Sequence, residues 1–215
     1  MPATPFTFPL ISVYTAGFFF SLHSALTSYI DSSFLSTIFR GAIHTPWGDL
    51  HDPIGVIFAI GSLFTLIVLS YAPRILRKVG NHNATLAFII VEILLFAGIA
   101  YFQSALLSAL FFVIHLAALP SIRFSLDLFL ESASKDETTG TTRGLYLTIA
   151  NLAWVIAPLG IGFLLTNGDY WKVYIVSAAL MLPVWYLVAD RLHFFPDPSY
   201  TESRFWKSAR AIFAN

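Results

Sequence analysis

The run from Ile54 to Pro73 constrains the fold of this chain more than any other segment. It contains 20 consecutive residues without a charge, IGVIFAIGSLFTLIVLSYAP. At about 1.5 Å of rise per residue, a helix of this length spans the roughly 30 Å hydrocarbon core of a bilayer. Arg74, Arg77 and Lys78 follow within five residues. The run therefore predicts a transmembrane helix with a basic flank, which is typical of the cytoplasmic side.

The composition favours a membrane protein throughout. The chain of 215 residues is 57% hydrophobic and only 11% charged, whereas an ordinary soluble domain carries about 25% charged residues. A net charge of zero gives no attraction to nucleic acid, and the absence of cysteine excludes disulfides and thiolate chemistry. The first residues lack a basic region and an early cleavage site, so we expect them to lead into a retained first helix.

Hydropathy predicts six spans, and hence an all-α integral membrane domain over residues 1–190. The third and fourth spans are separated by little more than Gln103, which predicts a tight antiparallel hairpin. The lipid bilayer is the first partner that this pattern implies. The predicted spans are Thr7–Ile30, Ile54–Pro73, Ala84–Phe102, Ser104–Ile122, Leu145–Thr166 and Val173–Ala189.

The distribution of lysine and arginine predicts the orientation. Six spans place both termini on one side, and ten of the twelve basic residues fall on that side. Cytoplasmic connections retain basic residues, so both termini are expected in the cytoplasm of a protein of the plasma (inner) membrane. The ten are Arg74, Arg77, Lys78, Arg123, Lys135, Arg143, Arg191, Arg204, Lys207 and Arg210, against Arg40 and Lys172.

Residues 191–215 are expected to form a cytoplasmic linker with an amphipathic helix on the membrane surface. Ser199 and Glu202 have the spacing of a capping box. Apolar residues then recur at helical spacing between basic ones, a pattern typical of an interfacial helix. The apolar residues are Phe205, Trp206, Ala209, Ile212 and Phe213.

Four polar residues inside spans are candidate functional residues, because ionisable groups are costly in a bilayer. His23 is in the first span, Glu92 in the third, His115 in the fourth and Asn151 in the fifth, with Trp154 one turn further on. The functional interpretation makes them contacts for a substrate or a proton. The alternative is that each is a neutral, hydrogen-bonded packing residue.

Two further groups of polar residues have simpler interpretations. His44, Asp49, His51 and Asp52 could suggest a metal site, but we favour a polar loop with turn residues, and no metal or cofactor is expected. Arg123 and Asp127 are four residues apart and can pair on one helix face. Glu131 continues that stripe. The stripe joins Arg143 and the basic loop in a predicted network of opposite charges, which comprises Arg74, Arg77, Lys78, Arg123, Asp127, Glu131 and Arg143.

The six spans, the basic loop after the second span and the amphipathic segment after the sixth together resemble the N-terminal six-helix half of a major facilitator superfamily (MFS) transporter. The loop from Pro73 to His82 lies where that family has a signature of glycine, aspartate and basic residues. Lys78 and Gly80 match this signature, while Arg77 occupies the position of the family's aspartate. The segment APLGIG in the fifth span resembles the family's Gly-Pro-x-x-Gly-Gly motif and predicts a helix kink. Its residues are Pro158, Gly160 and Gly162.

The resemblance implies a fold and a function. Each half of such a transporter contains two inverted three-helix repeats, and the substrate lies between the halves. Spans one and four would line the cavity, with the third and sixth peripheral, which favours His115, His23, Asn151 and Trp154 as cavity residues over Glu92. The chain would transport a small-molecule solute by alternating access, with protons as a candidate coupling ion, together with a missing C-terminal half or a second copy.

Two other classes of function remain open. A small integral-membrane enzyme is one, although the Gly-x-Ser-Gly, clustered aspartate and His-x-x-x-His patterns of such enzymes do not occur in the spans, so no catalytic residue is expected. A non-transporting scaffold or partner subunit is the other. The substrate is not determined by the sequence.

Overall fold

Seven α-helices and one short hairpin make up the computed structural model, which describes residues 8–39, 43–45, 48–50, 53–102, 104–134 and 136–197. A single 3-10 turn, Asp136–Thr138, precedes the sixth helix. The helices are α1 Phe8–Ser28, α2 Asp31–Ile38, α3 Pro53–Val79, α4 Asn81–Phe102, α5 Ala105–Ala133, α6 Thr139–Leu164 and α7 Tyr170–Arg191. The strands are β1 Ile43–Thr45 and β2 Gly48–Leu50, which pair antiparallel with Ile43 opposite Leu50.

Six of these helices are long and apolar enough to cross a membrane, namely α1 and α3 to α7. The prediction of six membrane helices is therefore confirmed, and the chain has the helices of an integral membrane protein. Several helices extend further than the predicted spans, and α6 begins at Thr139, before the predicted Leu145. Helix α3 continues through Pro73 to Val79, and α5 continues through Pro120 to Ala133. Their basic and acidic flanks are helical because the backbone hydrogen bonds of the span continue into them.

The bundle has two ends, which we name by their contents. The hairpin end carries α2, β1, β2 and the α4–α5 and α6–α7 connections. The basic end carries the α3–α4 and α5–α6 connections and the residues after α7. Helix α1 packs against α6 and α7, α5 packs against α3 and α4, and α4 packs against α7. Helices α3 and α6 have the smallest buried fractions among the six.

The interior consists of two apolar clusters separated by a polar layer. One cluster lies toward the basic end and is built around Phe20, Ile89 and Met181. The other lies toward the hairpin end and is built around Phe96 and Tyr174. Three buried polar residues lie between the two clusters. They are His23 on α1, Glu92 on α4 and His115 on α5.

Small residues allow the closest helix contacts. Gly17 on α1 lies under the ring of Tyr146 on α6, and Gly61 on α3 lies under the side chain of Leu116 on α5. The Thr65 hydroxyl lies 2.7 Å from the Leu116 carbonyl oxygen and adds an interhelical hydrogen bond. Close backbone approach at glycine and hydroxyl-to-carbonyl bonds are the usual means by which membrane helices associate.

Two predicted features lie outside the described residues. The amphipathic helix expected over residues 199–213 belongs to the segment after residue 197. The side chains of His44, Asp49, His51 and Asp52 are also not among those described, so the interpretation of that loop as polar turn residues stays a prediction.

Candidate functional site: a buried His–Glu–His cluster

Three membrane helices bring one carboxyl group and two imidazole rings together in the centre of the bundle. His23 Nε2 on α1 lies 2.9 Å from Glu92 Oε1 on α4. His115 Nδ1 on α5 lies 2.6 Å from the same oxygen. The two histidines and the glutamate are 0–1% exposed. The three residues therefore form one hydrogen-bonded cluster, which we call the His–Glu–His cluster.

A further helix, α7, fixes the tautomer of His23. Its Nδ1 lies 3.0 Å from the backbone carbonyl oxygen of Ser177 on α7. A carbonyl oxygen only accepts, so Nδ1 carries a proton and donates it. The Nε2 lone pair of a neutral His23 would then face Glu92 Oε1. Because a carboxylate oxygen also only accepts, a proton or another cation is required between these two atoms.

One shared proton makes the cluster electrically neutral. Either Glu92 is protonated and donates to His23 Nε2, or a protonated His23 donates to an ionised Glu92. His115, with one proton on Nδ1, donates to the same oxygen in both cases. A neutral group of this kind is far less costly in a bilayer than an isolated charge, which explains how three ionisable residues coexist there.

Aromatic rings enclose the cluster on the side of the hairpin end. The Phe96 ring lies edge-on to both imidazoles, with centroid distances of 4.8 Å to His23 and 4.8 Å to His115. Glu92 Oε2 is buried and has no hydrogen-bond partner among the described residues. The ligand atoms of the three side chains all lie within 4.8 Å of one another, so the group could hold a metal ion.

A second polar contact lies above the cluster at the hairpin end. The Tyr174 hydroxyl on α7 donates to Asp31 Oδ1 at the start of α2, over 3.1 Å. Burial raises the pKa of the Asp31 carboxyl to about 7, although His115 and the Tyr174 hydrogen bond act in the opposite direction. A cavity of about 710 Å³ lies at the same end, lined in part by Phe34, Asp169 and Trp171.

Only two of the four predicted cavity residues are found together, namely His23 and His115, which both contact Glu92. His23 and His115 are inside the bundle and closed to water, whereas His115 was expected to face an open cavity. Asn151 lies exposed on α6. Trp154 is half-buried, and its ring is 5.8 Å from that of Tyr29. Their role in substrate binding stays a prediction.

The predicted charge network at the basic end places Arg143 and Arg123 near Asp127. Both arginines act electrostatically on the Asp127 carboxylate, Arg143 more strongly than Arg123. Arg123 also lies over the Phe20 ring, 5.9 Å from the centroid. Asp127 shares a small cavity of about 140 Å³ with Arg143 and Tyr146. The remaining members, Arg74, Arg77, Lys78 and Glu131, are exposed. The network and its role stay a prediction.

Gly80 forms a turn that a carboxylate from the other end of the chain completes. Its φ of +82° is in the left-handed region, where it ends α3. The Asn81 backbone N–H, at the start of α4, donates to Asp197 Oδ1 over 2.7 Å. The Asn81 side chain donates to the Ser125 carbonyl oxygen of α5 over 3.1 Å. This turn therefore ties the α3–α4 connection to α5 and to the segment after α7.

The predicted kink motif lies within a continuous helix. Helix α6 runs from Thr139 to Leu164 and includes Pro158. A Cβ on Gly160 would lie 3.4 Å from Leu26 of α1, while Gly162 has nothing within 4 Å of that position. Gly160 thus marks a contact with α1, and the kink itself stays a prediction.

Several residues of the site were set aside or missed in the sequence. Glu92 was noted as an intramembrane carboxyl and then given less weight than the histidines. Asp31 and Tyr174 carry no sequence signal beyond their position near span ends. Asp197 follows the sixth span in a Pro-Asp-Pro segment, and nothing in the sequence relates it to Gly80. The sequence matches no protein-family model and no curated protein.

Proposed function

We propose that this chain is a six-helix half of an MFS-type secondary transporter, which moves a small solute by alternating access together with a second six-helix half. The resemblance of the loop around Lys78 and Gly80 and of the APLGIG segment to that family is one basis. The pattern of contacts between the helices is a second, independent basis for the proposal.

The most extensive helix contacts are preserved when the first three membrane helices are exchanged with the last three. Under the exchange of α1 with α5, α3 with α6 and α4 with α7, the α1–α6 contact becomes α5–α3. The α1–α7 contact becomes α5–α4, and α4–α7 becomes itself. All of these pairs are in contact. Successive spans alternate in direction, so α1 and α5 cross the membrane oppositely. An inverted repeat would give this pattern of contacts, which supports the proposal.

The observation that carries the proposal is that the His–Glu–His cluster is formed by helices that exchange with one another. His23 lies on α1 and His115 on α5, which exchange with each other. Glu92 on α4 and the Ser177 carbonyl on α7 lie on the other pair of helices that exchange. The polar cluster is therefore formed by the helices that an inverted repeat would bring together. Intramembrane ionisable groups at repeat interfaces are typical of transporters.

The exposed faces of α3 and α6 fit the same function. These helices have few buried side chains and expose large apolar residues along their length. In the family resembled, the corresponding spans face the other half. The exposed residues are Ile60, Leu63, Ile67 and Tyr71 on α3, with Leu152, Val155 and Leu159 on α6.

The basic end lies in the cytoplasm in this proposal, and the hairpin end lies outside the plasma (inner) membrane. The spans present no dense charge, which disfavours a polyanionic solute. Transport then requires that the interior, which is closed in this structure, opens to each end in turn.

A membrane enzyme is the second candidate, because the donor groups of the His–Glu–His cluster come from three different helices. A search for histidine spacing within one span cannot detect such a set. A hydrolytic metal site uses two histidines and a glutamate with an open position. However, the three side chains are at most 2% exposed, so a substrate has no route to them in this structure. Transport is therefore the better-supported function.

A cysteine scan tests alternating access, because the chain contains no cysteine of its own. Single cysteines at positions 105–126 of α5 are labelled with an impermeant thiol reagent in right-side-out and in inside-out vesicles. A transporter should give labelled positions at helical spacing from both sides, overlapping near position 115. Labelling from only one side, or from neither, would contradict transport and favour an enzyme or a scaffold.

A further inference from the structure

We propose that His23, Glu92 and His115 form a binding site for one first-row transition-metal dication of the zinc class. Two imidazole nitrogens and one carboxylate oxygen converge in the site, and their atoms lie within 4.8 Å of one another. Imidazole suits zinc, cobalt and related ions, whereas magnesium and calcium favour sets made of oxygen alone. This site goes beyond the proposed function, because it can bind a metal whether or not the chain transports a solute.

The distances in the cluster are close to those that a tetrahedral ion needs. Zinc lies about 2.0–2.2 Å from such ligands, so neighbouring ligand atoms are about 3.3 Å apart. The two hydrogen bonds to Glu92 Oε1 are 2.9 and 2.6 Å long. An ion between these atoms requires each imidazole nitrogen to move several tenths of an ångström away from Glu92 Oε1. The two imidazole nitrogens, which lie within 4.8 Å of each other, would come to the same tetrahedral separation of about 3.3 Å.

The hydrogen bond of His23 to Ser177 orients the ring as in metal-binding histidines. Its Nδ1–H donates to the Ser177 carbonyl oxygen, so the Nε2 lone pair points toward Glu92. Metal-binding histidines usually donate their other N–H to a carbonyl or carboxylate in this way, which fixes the tautomer and the ring. A metal would replace the proton that otherwise lies between His23 Nε2 and Glu92 Oε1. The Nδ1 proton of His115 would move to Nε2 of the same ring, so that the Nδ1 lone pair is free to bind the metal.

A further ligand position and a counter-charge are also available. Glu92 Oε2 is buried without a partner among the described residues, and a metal would give it one. A dication bound to an ionised Glu92 keeps one positive charge. The Asp31 carboxyl is near enough to interact electrostatically with both His115 and Glu92, so its ionised form would compensate that charge.

The burial of the site determines how it must be loaded. Its side chains are at most 2% exposed, so an ion added to the folded protein has no open path. The test therefore supplies the metal during synthesis. Cells expressing the full chain without a polyhistidine tag are grown in zinc-poor medium with cobalt, which substitutes for zinc and absorbs visible light. The protein is purified in detergent and washed with a chelator, which removes ions from exposed histidines.

The measurement is the cobalt content of each folded, monodisperse protein, together with its visible spectrum. The wild-type chain should retain about one cobalt per chain. Glu92→Gln should retain at least ~10-fold less, because it removes the anionic ligand. Glu131→Gln is the matched control, since Glu131 is an exposed glutamate on α5, and it should equal the wild type.

His115→Asp keeps the inference testable if Glu92→Gln does not fold. This change replaces a nitrogen ligand with an oxygen ligand, so cobalt should be retained with a shifted absorption band. Absence of cobalt from the wild-type chain would overturn the inference. Equal cobalt content in Glu92→Gln, or an unchanged spectrum in His115→Asp, would also overturn it. None of these results depends on the outcome of the α5 cysteine scan.

Discussion

His23, Glu92 and His115 illustrate, at the scale of single residues, how ionisable groups become tolerable in a membrane interior. Each would be costly alone, since a charge near the bilayer centre costs roughly 2.5–3.5 kcal/mol on insertion scales. Together they hydrogen-bond to one another, and the Ser177 carbonyl oxygen accepts a further bond from His23. The function of any one of them is therefore a property of the cluster.

Asp31 predicts a pH dependence of stability. Its folded pKa of about 7 lies above the ordinary value of 3.8, with burial as the largest cause. Between about pH 4 and pH 7 the folded protein binds more protons than the unfolded one, so stability is highest below this window and falls as pH rises through it. Glu92, His115 and Tyr174 are the ionisable groups that act on this carboxyl.

Asp31→Asn should remove that dependence. At about pH 8 the variant should be more stable than the wild type, by about 4 kcal/mol at most, and at about pH 4 the two should be similar. Thermal unfolding in detergent at both pH values measures this. Asp190→Asn, which removes an exposed carboxylate elsewhere in the chain, is the control for the loss of one negative charge. A wild-type protein that is no less stable at pH 8 would rule out the effect.

Gly80→Ala should destabilise the protein through its backbone conformation. The φ of +82° is strained for a residue with a Cβ, and that Cβ would lie 2.7 Å from Asp197 Oδ2. We expect a loss of about 1–2 kcal/mol. Gly144→Ala is the control, because this glycine lies inside α6 with nothing within 4 Å, and alanine there should be neutral or stabilising. Unfolding in detergent that ranks the two variants equally would contradict this explanation.

At the scale of elements, glycine determines how closely two pairs of helices approach. Gly17 brings α1 against Tyr146 of α6, and Gly61 brings α3 against Leu116 of α5. These are the two helix pairs that exchange with each other in the proposed repeat. Both contacts join the first three membrane helices to the last three, so glycine sets the closest approach between these two groups of helices.

Gly17→Ala should separate α1 from α6. An added Cβ would lie 2.9 Å from Tyr146 Cζ, and the buried ring has little room to move. Overpacking of this kind costs about 1–3 kcal/mol. Gly162→Ala, in open space on α6, should have little effect on the unfolding temperature. Tyr146→Leu should relieve part of the loss in the double variant, and strictly additive effects would argue against this contact as the cause.

At the scale of the whole molecule, the distribution of basic residues predicts the topology. Cysteines introduced at Lys78 and Lys135 should be protected from an impermeant reagent in intact cells and labelled after permeabilisation. A cysteine at Asp49 should be labelled in intact cells. The reason is the excess of ten basic residues to two on the proposed cytoplasmic side. Labelling of position 78 from outside would reverse the orientation and, with it, the assignment of the basic end to the cytoplasm.

The sequence by itself determined the number of membrane helices and where they lie. Long uncharged runs can satisfy their backbone groups in a bilayer only as helices, so composition alone predicts α1 and α3 to α7. It also marked His23, Glu92 and His115 as unusual, because an ionisable residue stands out in an apolar run. Both signals are local, and a single chain is enough to detect them.

Only the tertiary structure decided which of these residues meet. Hydropathy does not specify which face of a helix points inward or which helix it packs against, so Glu92 was given less weight than the histidines that it binds. The Gly80–Asp197 contact joins residues more than a hundred positions apart, with no periodicity to relate them. The spacing of Arg123 and Asp127 predicts a pair on one helix, but it does not predict that Arg123 also lies over Phe20 of α1, or that Arg143 of α6 acts on Asp127 more strongly than Arg123 does. Spacing on one helix shows which contacts are possible, and packing against other helices selects among them.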